Sequence, residues 1–170
     1  MSLGSALDDF ARAMGSMAYP SASLEAAADA ALLRKRVFSS LPDIHAKVIV
    51  LRYFSAPAPR EVSLARTVSE QQQIIVLRRA KESAAHDIAK RIKAQPRKRT
   101  AKSYDLKLIE AVCLAWGGHR PPPHRDTWAD TCRKSTFYAV CHAVEAALDQ
   151  LLDDAGKEYE KRSLKNEERA

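Results

Sequence analysis

Three consecutive glutamines, Gln71, Gln72 and Gln73, precede Ile75, Arg78 and Arg79 in the stretch VSEQQQIIVLRRAK, residues 68 to 81. A glutamine amide can bond bidentately to N6 and N7 of adenine, and an isoleucine can touch a thymine methyl or a protein partner. The arginines add cations that can meet bases or phosphates. The bland alternative is that the glutamines are soluble helix formers and nothing more. A second basic set, Arg97, Lys98, Arg99 and Lys102, lies in KAQPRKRTAKS, residues 93 to 103, which contains no acid. That composition suits contact with phosphate or RNA, or a charged tether.

Catalytic chemistry has no comparable foothold. The chain shows no nucleophile, base and orienter set, no glycine-rich phosphate loop and no usefully spaced carboxylate pair. No catalytic residue and no cofactor is therefore expected. His119, His124, Cys132, Cys141 and His142 could be imagined around zinc, but no pair has zinc-finger spacing, so no metal is expected. Cysteines number three and lack CxxC spacing, which argues against a disulfide framework and for a reducing cytoplasm. There is no signal-peptide layout and no apolar run approaching the roughly 18 to 20 residues that span a bilayer.

Charge placement says more than the net +7. Residues 1–33 hold 1 basic and 4 acidic groups, residues 34–102 hold 17 and 5, and residues 103–170 hold 10 and 12. The middle third has the footprint of a phosphate-binding surface, a solvated charged face being the ordinary alternative.

The elements that must carry these residues are helices. Apolar residues make up 46% of the chain and aromatics only 6%, with alanine-rich stretches in place of alternating β-branched runs, so an all-α fold is expected. Ser5 is placed to cap a first helix with Leu7, Phe10 and Met14 on one face and Gly15 at its end. Ser23 starts a second, reaching about Val37. Leu41-Pro42 opens a third with Ile44, Val48 and Leu51 inward. Pro57 and Pro59 bracket a turn before a short helix near Arg60 to Thr67, with Val62 inward. Ser69 is the expected cap of a helix running to about Ile92, burying Ile74, Leu77, Ala84 and Ile88 and turning Gln72, Arg79, His86 and Lys90 away. Further helices are expected at Tyr104–Trp116, Thr127–Cys132 and Ser135 to about Ala155. Gly156 should end the last, leaving a charged tail that is mobile or marginally helical. Phe137, Val140, Val144, Leu148 and Leu151 form its inward stripe. Trp116 and Trp128 are expected as core anchors, and Cys141 as a buried thiol.

With these helices placed, residues 41 to 81 resemble the helix-turn-helix of bacterial sigma factor region 4. The family pattern is matched by Leu41-Pro42, LRYF at 51–54, EVS at 61–63, Val68-Ser69 and Arg79-Ala80 in one register. The physics agrees: Val62 and Val68 would lock two helices across the turn, and the second would offer its first turns to a major groove. TWADTCRKS at 127–135 can be laid on EVSLARTVS at 61–69, which reads either as a degenerate second copy or as a chance recurrence of short capped helix pairs. Glu145, Asp149, Asp153 and Asp154 on its long helix would repel phosphate, so that copy would meet protein, with Arg133 and Lys134 at its tip.

In size, motif and charge layout the chain also resembles the small phage-encoded late transcription regulators known as Q-type antiterminators. That resemblance implies a cytoplasmic factor in a bacterial host that binds double-stranded DNA near a promoter, joins paused RNA polymerase, with or without its sigma factor, and promotes read-through of terminators. Alternatives are a helix-turn-helix DNA-packaging protein like the small terminases, a repressor, or an interaction protein that no longer touches DNA. The expected organisation is N-terminal helices at 1–40, the helix-turn-helix at 41–92, a basic linker at 93–103, a second helical module at 104–155 and a tail at 156–170. No membrane partner is expected.

Overall fold

The computed structural model of the chain describes residues 3–15, 24–54, 67–95 and 105–168. Among them the regular structure is entirely helical, as the composition leads one to expect. The α-helices are α1 (Leu3–Gly15), α2 (Leu24–Ser40), α3 (Asp43–Tyr53), α4 (Val68–Ala94), α5 (Leu106–Trp116) and α6 (Lys134–Glu167), with one 3-10 turn at Arg125–Trp128.

α3 occupies the centre. It packs against α1, α4, α5 and α6, and its run Val48, Ile49, Val50, Leu51 is apolar on consecutive positions because neighbours cover that stretch on several sides. Pro42 is its N-cap and not a first-turn residue: its carbonyl accepts from His45 and Ala46, both at 3.0 Å. α4 lies along α3 and α5 and presents Leu77, Ala84, Ala85, Ile88, Ala89 and Ile92 inward. It stops at Gln95, whose N–H reaches back only to Ile92 at 3.3 Å, one residue before Pro96 disfavours helical backbone.

Asp105 starts α5 by accepting from the Lys107 amide at 2.9 Å. The helix ends in a Schellman motif. Gly118 adopts φ +70°, the His119 amide returns to the Leu114 carbonyl at 2.9 Å and the Gly118 amide to Ala115 at 2.9 Å. Cβ-free Gly117 lets this helix end press against the backbone of Leu51 on α3.

Several expected boundaries are corrected. Ser5 lies inside α1, α2 runs on to Ser40, and the short helix expected at Thr127–Cys132 is the 3-10 turn ending at Trp128. The larger correction concerns the tail. α6 passes through Gly156, which is buried, and continues to Glu167, a length of about 50 Å. Packing outweighs the helix-breaking tendency of glycine here, because Ala155, Tyr159 and Ser163 extend the buried stripe of Phe137, Val140, Val144 and Leu148. Tyr159 sits edge-on to Phe10 at 5.2 Å and donates to Asp9 at 3.1 Å, fastening the end of α6 to α1.

One apolar cluster joins residues of α1, α2, α3, α4, α5 and α6. The segments expected as two modules therefore share a core: α4 packs on α5, and Leu108, Ile109, Val112 and Phe137 belong to the same cluster as Leu51 and Ile88. Trp116 and Trp128 pack against it half-buried, while Cys141 is half-buried and not enclosed.

Candidate nucleic-acid interface

The expected outward stripe exists on the first half of α4. Gln72, Ile75 and Arg79, at positions i, i+3 and i+7, are exposed, with Val76 beside them, while Leu77 and Lys81 are buried on the opposite side. Gln71 and Arg78 are half-buried at the edge of this face, and Ile74, on the side of Lys81, is also half-buried. An amide, a branched apolar group and a guanidinium thus share one helix face of about two turns, and a major groove admits an α-helix whose first turns carry such groups. Gln73 and Ser69 lie within α4, but their side chains fall outside the described residues, as do Arg97, Lys98, Arg99 and Lys102 and the segment 55–66 with Val62.

Ser69 is not the cap. The Gln71 amide donates to the Thr67 carbonyl at 3.1 Å, so Thr67 stands at the N-cap and Ser69 is the second helical residue. Val68, the first residue of α4, is 70% exposed; Val62, its expected partner across the turn, lies outside the described residues.

Polar contacts hold α4 in place behind this face. The Lys81 ammonium donates to the Phe54 carbonyl at 2.7 Å, tying α4 to the end of α3. Burial, reinforced by the Arg52 guanidinium, lowers its pKa to about 8. Glu82 accepts from Arg120 Nη2 at 3.2 Å and faces His119 Nε2 at 3.3 Å. Burial opposes ionisation of Glu82, yet His119 and Arg120 outweigh it and hold the carboxyl below its ordinary range. Burial lowers the pKa of His119, outweighing the opposite pull of Glu82. Further along, Lys47 bridges Asp43 at 2.6 Å and Asp87 at 2.8 Å, and His86 meets Glu110 at 3.2 Å. These partly exposed pairs add little stability, but they fix the rotation of α4 and so the direction of Gln72 and Arg79.

Lys81 was not singled out in the sequence, where it follows Arg78 and Arg79 and looks like one more surface cation. The spacing 77, 81, 84, 88 places it on the buried stripe and was the available signal.

The acidic residues of α6 are partly engaged. Asp149 accepts from Trp116 Nε1 at 2.9 Å, Asp153 pairs with Lys157 at 2.6 Å and Asp154 accepts from Gln150 at 2.9 Å. Arg133 and Lys134 are exposed where α6 begins. Among the described residues, no three His, Cys, Asp or Glu side chains gather as a metal site, and no helix is long and apolar enough to cross a membrane.

Comparison with protein-family models, with curated proteins and with solved structures finds no match to this chain.

Proposed function

We propose that the chain is a DNA-binding transcription regulator that reads duplex DNA with the first half of α4 and joins RNA polymerase, acting as a phage late-gene antitermination factor. The observation that carries the DNA reading is the exposed stripe of Gln72, Ile75 and Arg79 on a helix whose other face is anchored by Leu77 and Lys81. The resemblance of residues 41 to 81 to sigma region 4 and the +12 balance of residues 34–102 support it. In this reading Gln72 bonds to an adenine edge, Ile75 covers a thymine methyl and Arg79 meets a base or phosphate. Glu145 and Asp149, exposed on α6, suit a basic protein surface, so the chain would bridge DNA and polymerase.

Selection from random duplexes supplies the DNA site. Gln72→Ala and Arg79→Ala are each expected to weaken binding to it by about 1 to 3 kcal/mol. Unchanged affinity in both variants removes α4 as the reading helix. Single-round transcription with purified polymerase then tests the function, with increased read-through of a terminator downstream of the site expected. Occupancy of the site with neither read-through nor initiation raised assigns the protein to repression or DNA packaging.

A further inference from the structure

Between the end of α5, the loop that follows it and the first turns of α6 lies an open groove of about 290 Å³. That size is near the lower edge of ligand pockets and fits one or two side chains better than a cofactor. Trp116, Pro122, Pro123, Phe137 and Tyr138 make it apolar and aromatic, and Glu145 brings a carboxylate to it.

The aromatic walls are held in place before anything binds. Trp116 Nε1 is bonded to Asp149 at 2.9 Å, and Tyr138, 46% exposed, stands edge-on to buried Phe137 with centroids 5.3 Å apart. Glu145 is exposed and takes no part in the ion pairs among the described residues. The Trp116 ring already takes one guanidinium: Arg52, which does not line the groove, lies with its Cζ 4.9 Å from the ring centroid.

Charge decides among occupants. A purely apolar segment laid over the groove would bury the Glu145 carboxylate without a partner, which is costly. A nucleic-acid strand could stack on the rings, but its phosphates would meet Glu145 and Asp149. A side chain with a cation at its tip and a methylene stem satisfies both the rings and the carboxylate, and arginine does so with a planar group that stacks.

We propose that this groove is a docking site for a segment of a partner protein that presents an arginine between apolar residues, the guanidinium pairing with Glu145 and lying against Tyr138 or Trp116 while its neighbours cover Phe137 and the prolines. The proposal deepens the reading of Glu145 as facing a basic protein surface but does not rest on DNA recognition by α4, and either can fail alone.

The test is a nuclear magnetic resonance titration of the isotope-labelled full chain with acetyl-Leu-Arg-Leu-amide, and with acetyl-Leu-Glu-Leu-amide as its opposite in charge. The arginine peptide is expected to move the Trp116 indole and the Tyr138 and Glu145 amide signals along a saturable curve, and the glutamate peptide to leave them in place. Glu145→Lys should weaken the arginine peptide by about tenfold or more while the rest of the spectrum and the affinity for duplex DNA stay as in the parent. Signals that do not move up to the solubility limit, equal movement with both peptides, or unchanged affinity in Glu145→Lys overturn the proposal. So does movement of these signals by oligothymidylate, which would assign the groove to nucleic acid, or by raising the protein concentration alone, which would assign it to a second copy of the chain.

Discussion

Lys81 carries an ammonium group into a place where only 3% of the residue meets solvent. Its proton is held less firmly in the folded chain, with a pKa of about 8, than in the unfolded chain, near 10.5. Between those values the unfolded state binds more protons, so stability rises with pH across that window. Below it both states are charged and the full cost of burying the cation is present. Urea unfolding should show the parent gaining roughly 1 to 3 kcal/mol over Lys81→Met as pH rises through the window. Parallel profiles would mean that Lys81 is solvated. The same residue marks where reading by residue type stops: a lysine after two arginines looks like a third surface cation, although its position on the 77, 81, 84, 88 stripe places it inside. Gln72 and Arg79 obey both type and period, and were legible for that reason.

At the scale of elements, the join of α3 and α5 depends on two adjacent glycines for different reasons. A Cβ on Gly117 would run into the Leu51 carbonyl oxygen and stand 2.8 Å from Leu51 Cδ1, whereas one on Gly118 meets open space but sits at φ +70°. Gly117→Ala should therefore cost about 1 to 3 kcal/mol by overpacking and disturb the native Trp116 fluorescence as α5 is pushed away. Gly118→Ala should cost about 1 to 2 kcal/mol through its left-handed backbone and leave native fluorescence unchanged. Equal fluorescence changes in both would contradict the close approach at Leu51. Helix interiors were legible because the stripes at Leu77–Ile88 and Phe137–Leu148 repeat every three or four residues. Helix ends were less so, since local stop signals compete with packing that sequence order does not display. Gly156 resembled a terminator, yet the stripe resumes beyond it at Tyr159 and Ser163. The groove went unnoticed because its residues lie on three separate segments and share no period.

At the scale of the whole molecule, α1 is joined to the second half of α6. Tyr159→Ala should cost about 3 to 5 kcal/mol by emptying the space beside Phe10, and Tyr159→Phe about 0.5 to 1.5 kcal/mol through loss of the bond to Asp9. Thermal or urea denaturation measures both, and parental stability in Tyr159→Ala would show that the α1–α6 contact contributes nothing. The pair Asp9–Tyr159 spans 150 residues of chain, and that span has a consequence during synthesis. Phe10 leaves the ribosome well before the ring it packs against, that of Tyr159. At about 5 to 20 residues per second the interval is roughly 7 to 30 seconds, during which α1 can pack on α2 and α3 but not on α6. A nascent chain thus leaves the Tyr159 side of Phe10 open to chaperones until the second half of α6 has emerged.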